Sequence, residues 1–142
     1  MADMQRIPLI LAAVIIVVRI LLEENGAGSG VTFILGVSWL HLLVPIYFAL
    51  QITGDHPYKG LFKQVLIYSI FTRLMVMVTY MLAYQFNWSA TRFGVAGGGG
   101  VGADSALSGL VLAPLTNLAF WIIAAVVVGM ITGSITLAIR RR

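Results

Sequence analysis

The sequence predicts an all-α integral membrane protein, a four-transmembrane-helix bundle in N-in/C-in orientation, and three observations carry that prediction. Hydrophobic residues make up 60% of the chain and charged residues 10%, against roughly 25% charged residues in soluble domains. The apolar residues collect into four long runs, about 7–22, 31–52, 61–86 and 114–139; roughly 20 such residues cross a hydrocarbon core about 30 Å thick. The basic residues that bracket these runs fall almost entirely on one side of the membrane so implied. Four crossings nearly exhaust 142 residues, so the chain reads as a single transmembrane domain.

The first run, 7–22, has Pro8 in a tolerated first-turn position and Arg19 near its far end. A cleaved secretory signal is the competing reading. Asp3 beside Arg6, the lack of a small-residue cleavage motif and the three further runs argue against it. Arg19 then reads as a snorkelling residue whose head reaches the interface beside Glu23 and Glu24. A Gly/Ser linker leads to the second run, 31–52, which carries Trp39, His41 and Pro45 in its interior. Neighbouring helices can satisfy the carbonyl that a membrane proline frees, and a kink is expected there. The polar turn 53–60 closes a hairpin onto the third run, 61–86, whose far end bears Tyr80, Tyr84 and, just beyond, Trp88. These aromatics read as an interfacial belt.

Residues 87–113 contain Gly97, Gly98, Gly99, Gly100 and Gly102, and glycine in such density predicts a flexible outward loop. The run lacks the Lys-Ser/Thr ending of a phosphate-cradling P-loop and any preceding strand. The last run opens near Pro114 and stops at Arg140, Arg141 and Arg142. Arg6, Lys59, Lys63 and those three arginines lie on one side and Arg92 on the other, a bias that puts both termini in the cytoplasm. The expected location is a bacterial plasma (inner) membrane, with lipid as the first partner.

The formal charge of +4 does not form the basic groove with aromatic platforms that nucleic-acid binding needs. The absence of cysteine removes thiolate catalysis and cysteine-held metal. Asp3, Glu23, Glu24, Asp55 and Asp104 all sit in loops or tails, which leaves no paired carboxylates or general base at membrane depth. Neither an enzyme nor a metal site is expected.

What remains is a small intramembrane polar set. An antiparallel hairpin turning near His56 pairs positions whose numbers sum to about 114, and His41 and Arg73 meet that condition near mid-span. With the 100° step of a helix, Ser69, Arg73, Tyr80 and Tyr84 share one face of the third run, and Ser38 and His41 share a face of the second. These faces are expected to meet. A midplane arginine costs roughly 2.5–3.5 kcal/mol even on the lenient insertion scale, so Arg73 reads either as a binder of an anion, carboxylate or lipid phosphate, or as internal glue held by carbonyls and tyrosines. A quinone or haem at His41 is a weaker alternative, because one histidine within the spans leaves bis-histidine ligation to a second copy or partner.

The last run carries Ala125, Gly129 and Gly133 at a spacing of four, a small-residue face that lets helix backbones approach closely. It fits packing within the bundle, self-association or docking to other membrane subunits. The resulting expectation is a non-catalytic accessory or assembly subunit of a larger membrane complex. A small homo-oligomeric transporter or channel for an anion or lipid is the alternative, and a quinone- or haem-binding electron-transfer subunit a third. The chain resembles small four-span exporters in length and number of spans alone, and it lacks the intramembrane carboxylate that proton-coupled cation export by them would imply.

Overall fold

The computed structural model describes residues 2–141, which are helical throughout their regular structure and form no β-strand. Met1 and Arg142, the latter part of the C-terminal basic cluster, lie outside the described residues. Five α-helices follow in order: α1 (Ala2–Glu24), α2 (Ser29–Ile34), α3 (Leu40–Gln51), α4 (Pro57–Phe86) and α5 (Ala113–Arg140). Three stretches are long and apolar enough to cross a membrane: Gly30–Gln51, Pro57–Phe86 and Leu107–Arg140.

The second apolar run is interrupted, which its hydropathy does not reveal. Helix α2 ends at Ile34, Gly36 adopts an extended backbone, and a single 3-10 turn at Val37–Trp39 re-enters the helix as α3. Gly36 sits tightly at this break. A Cβ there would stand 3.0 Å from the Phe33 carbonyl oxygen and 3.3 Å from a guanidinium nitrogen of Arg19. Pro45 lies within continuous helical structure in α3. Helix α4 starts four residues earlier than the apolar run, with Pro57 in its first turn, where a missing N–H costs nothing. It ends on Asn87 in the left-handed conformation, at φ 51°.

The last helix also begins early, because a π-helical turn at Leu107–Leu112 runs directly into α5. The glycine-rich stretch is folded rather than featureless. Two 3-10 turns, Thr91–Phe93 and Val95–Gly97, and an isolated bridge between Gly94 and Val101 bring it back over the ends of α4 and α5. Its glycines serve close approach: a Cβ on Gly100 would overlap the backbone of Gly109, and one on Gly109 would overlap the Tyr84 ring.

Helix α5 packs on both α3 and α4, and its small-residue face makes that approach. A Cβ on Gly129 would lie 2.7 Å from a Val65 methyl and 3.0 Å from the Pro45 ring, and one on Gly133 would lie 2.8 Å and 2.9 Å from the Leu61 methyls. Ala125 on the same face is buried. Ala125, Gly129 and Gly133 are therefore filled within the chain. Around them Phe48, Leu61, Val65, Tyr68 and Leu137 form one buried cluster. In lipid such packing, rather than release of water, supplies the association energy. Thr132 and Thr136 do not reach across helices; their hydroxyls donate to carbonyls of their own helix at 3.3 Å and 3.0 Å.

Helix α1 is tied in at both of its ends. Gln5 Nε2 donates to the Gln64 carbonyl at 2.9 Å and to Gln64 Oε1 at 2.5 Å. At the other end Glu24 accepts from the Ser89 N–H and hydroxyl and from the Ala90 N–H, at 3.1, 3.2 and 3.0 Å. Arg140 closes the opposite corner of the molecule, its Nη1 donating to the carbonyls of Ala49, Leu50 and Ile52 at 3.1, 2.9 and 3.0 Å. Those carbonyls end α3, where no intrahelical donor remains for them. The bundle thus has a turn end, where the chain reverses between α3 and α4, and a loop end, where residues 87–106 fold over.

Candidate functional site

The loop end contains a cavity of about 450 Å³, and three arginines from three different segments line it: Arg19 of α1, Arg73 of α4 and Arg92 of the 3-10 turn at Thr91–Phe93. The break at Gly36 makes room for Arg19, and the fold of the glycine-rich stretch delivers Arg92. Ser38, Tyr80 and Asn117 add polar groups, while Ile16, Phe33, Val37, Leu42 and Val76 supply apolar wall. Trp39 and Trp121 complete the lining.

The three arginines differ in how they are satisfied. Glu23 bridges two of them, with Oε1 at 2.8 Å from Arg19 Nε and Oε2 at 2.6 Å from Arg92 Nε. The Arg92 guanidinium also lies 4.1 Å from the centre of the Phe93 ring and 5.8 Å from that of Tyr80. Arg73 has a ring contact but no carboxylate among the described residues. Its side chain is 7% exposed, its Nε finds no hydrogen-bond partner among the described residues, and its guanidinium rests over the Trp121 ring at 5.0 Å. No carboxylate among the described residues pairs with it. The cavity wall therefore carries more positive charge than the single carboxylate beside it can balance.

Of the residues singled out from sequence, Arg73, Tyr80 and Ser38 meet at this cavity. His41 and Ser69 do not reach it. His41 is buried with its ring edge against Tyr68, centroids 5.4 Å apart, and neither ring nitrogen has a partner among the described residues. Ser69 is fully buried on α4. The faces of the second and third runs touch where the His41 ring meets Tyr68 and, at the cavity, through Ser38, Arg73 and Tyr80; α5 lies against both, its Trp121 over Arg73 and its Gly129 facing Pro45 and the backbone of His41. Tyr84 packs on Gly109 of the π-helical turn. Tyr80 and Trp88 face inward rather than forming a lipid-facing belt, each against Phe93, at 5.2 Å and 5.5 Å between ring centres.

Arg19, Arg92, Asn117 and Trp121 are the members that sequence reasoning did not assign. Arg19 lies beside Glu23 as expected and also lines the cavity. The signal available for it was the spacing of four to Glu23, which places both on one helix face. Arg92 gave no comparable signal, since its position depends on how the loop folds.

The arrangement can hold negative charge. It offers no nucleophile with a base and no pair of acids for proton transfer, and among the described residues no cluster of His, Asp or Glu has the grouping a metal requires. Compared with protein families, curated proteins and solved structures, the chain matches none of them. The fold and its apolar helices define a helical bundle suited to a membrane.

Proposed function

We propose that this chain is a non-catalytic, four-span membrane protein that binds an anionic ligand in the cavity centred on Arg73. The observation that supports it is the buried guanidinium of Arg73, which lines the cavity and has no carboxylate partner among the described residues. Burial without a counter-ion costs several kcal/mol in a bilayer, of the order of 2.5–3.5 kcal/mol on the insertion scale. A bound anion offsets that cost and gives the residue a reason to be where it is.

The fourth span in this reading is α1, whose 23 residues extend about 34 Å at 1.5 Å per residue and which is fixed to α4 through Gln5 and Gln64. Its bonds to the loop through Glu23 and Glu24 favour a retained helix over a removed leader. The basic turn residues Lys59 and Lys63 and the terminal arginines support cytoplasmic termini, with the cavity on the outer side of the inner membrane. Because the chain has no cysteine, single cysteines introduced at Asp55 or Ala103 report orientation cleanly. Cell-impermeant maleimide applied to intact cells should label A103C and not D55C; the reverse pattern overturns the orientation.

Anion binding is tested by titrating the purified chain with phosphate and sulfate and following tryptophan fluorescence. Arg73→Gln should weaken binding by about tenfold or more, as loss of a charge-assisted hydrogen bond does. Unchanged affinity would remove Arg73 from the site.

A second reading, that the chain is an accessory subunit of a larger membrane complex, draws on α5. Only 22% of its most apolar window is buried, against 44% for the other two candidate spans. Phe120, Ile123, Val127, Ile131, Ile135 and Ile139 face outward along it. The same face suits lipid alone. Native mass after extraction in mild detergent separates the two, because a complex brings other chains with it.

A further inference from the structure

We propose that the cavity takes the head of a phosphomonoester lipid, a phosphate bearing two negative charges on an apolar chain; the proposal rests on the anion-binding reading above. Charge is the first argument. Arg19, Arg73 and Arg92 meet one carboxylate, Glu23, which touches two of them. The surplus is two positive charges. A phosphomonoester carries about −1.5 to −2 at pH 7, whereas a phosphodiester head carries a single negative charge. Geometry is the second argument. Guanidinium groups arriving from three segments can each present paired N–H donors to a phosphate's oxygens, and Asn117 adds a neutral amide on the α5 side.

The apolar wall separates a lipid from a free phosphate. Phosphate alone would leave Ile16, Val37, Leu42 and Val76 facing an empty apolar surface. Phe33 and Trp39 both line the cavity and are exposed, at 67% and 45%. The lining therefore continues onto the outer surface of the bundle at the break between α2 and α3. A head held by the arginines can pass its chain out through that side into the surrounding bilayer.

The experiment uses the full chain in a mild uncharged detergent. Trp39 and Trp121 line the cavity, so their fluorescence reports occupancy. The probes are phosphatidic acid, phosphatidylglycerol and inorganic phosphate. Phosphatidic acid should bind about tenfold or more tightly than phosphatidylglycerol, the scale of roughly one additional charge-assisted hydrogen bond, and more tightly again than inorganic phosphate. Phe33→Ala should weaken the lipid several-fold and leave inorganic phosphate unchanged.

Equal affinity for the two lipids overturns the doubly charged head. Equal affinity for phosphatidic acid and inorganic phosphate overturns the lipid and leaves the anion reading standing. No response to any of the three overturns both. Arg73→Gln and, independently, Arg92→Gln should each reduce the lipid affinity by about tenfold. Circular dichroism establishes that each variant is folded, and a folded pair that binds as the parent does overturns the assignment of the head to these arginines.

Discussion

At the turn end Arg140 gives one nitrogen to three carbonyls that close α3, and the glycines of α5 bring Leu61, Val65 and Pro45 into contact. At the loop end Arg73 is buried without a carboxylate, beside a cavity of about 450 Å³. Both regions use an arginine, exposed at the turn end and buried at the loop end. One arginine completes the hydrogen bonding that helix ends leave open, and the other leaves positive charge facing open space. The difference teaches that an arginine beside apolar helices says little about its role until its burial and its partners are counted together. Under the anion-binding proposal, the loop end is where a ligand has something to offer.

The largest effect expected from this contrast lies in the tight end. Gly133→Val places a branched side chain where a Cβ alone would stand 2.8 Å and 2.9 Å from Leu61 and 3.2 Å from the Pro45 carbonyl. Overpacking of a filled core costs about 1–3 kcal/mol and sometimes more, and here the obstacle includes backbone. Thermal unfolding in detergent should fall sharply or folded protein should be lost. The same change at Gly28, where a Cβ meets nothing within 4 Å, should leave the melting temperature close to that of the parent. Equal sensitivity at the two sites would mean that α5 does not pack on α4 as described.

The arginines sharpen the comparison by differing in sign. Arg140→Gln removes largely solvent-exposed hydrogen bonds from the carbonyls at the end of α3 and should destabilise by about 0.5–1 kcal/mol. Arg73→Leu removes a buried charge worth a penalty of roughly 2.5–3.5 kcal/mol and forfeits a cation–π contact with Trp121 worth about 0.5–2 kcal/mol. The net expectation is a ligand-free protein that is more stable by about 0.5–3 kcal/mol. If Arg73→Leu destabilises as Arg140→Gln does, Arg73 is structural glue and the cavity loses its central residue.

How much of this was legible in the sequence follows from which contacts are local. Arg73 stood out because a charge in a long apolar run is visible without any neighbour, and the Ala125, Gly129 and Gly133 spacing placed a close approach on α5. What α5 approaches was not legible. The antiparallel rule pairs α3 with α4 directly, and they do touch through His41, Phe48 and Tyr68, but the rule gives no place to a helix whose small residues bring it against both. Arg19 and Arg92 were read singly for the same reason: they come together through the break at Gly36 and the fold of residues 87–106, which depend on contacts far apart in the chain. Glycine density was also ambiguous. It signals conformational freedom in an isolated segment, but at Gly100 and Gly109 it serves backbone contact between segments.

The smallest effect bears on α1, which, like α4 and α5, links the two ends. Helix α1 joins the turn end through Gln5 and Gln64 and supplies Arg19 and Glu23 to the loop end. If it were only loosely attached, the cavity would lose a wall and its single balancing carboxylate together. A double-mutant cycle of Gln5→Leu and Gln64→Leu, read by unfolding in detergent, isolates the contact from the general effect of adding apolar surface. Interhelical hydrogen bonds in membranes average about 0.6 kcal/mol and reach about 1.7 kcal/mol, and the upper part of that range is expected here because Gln5 donates to both the carbonyl and the side chain of Gln64. A coupling indistinguishable from zero would detach α1 from α4 at the turn end. Anion affinity in the same variants then carries the argument across the bundle: a cavity that depends on a docked α1 weakens in Gln5→Leu although that residue lies at the opposite end from Arg19.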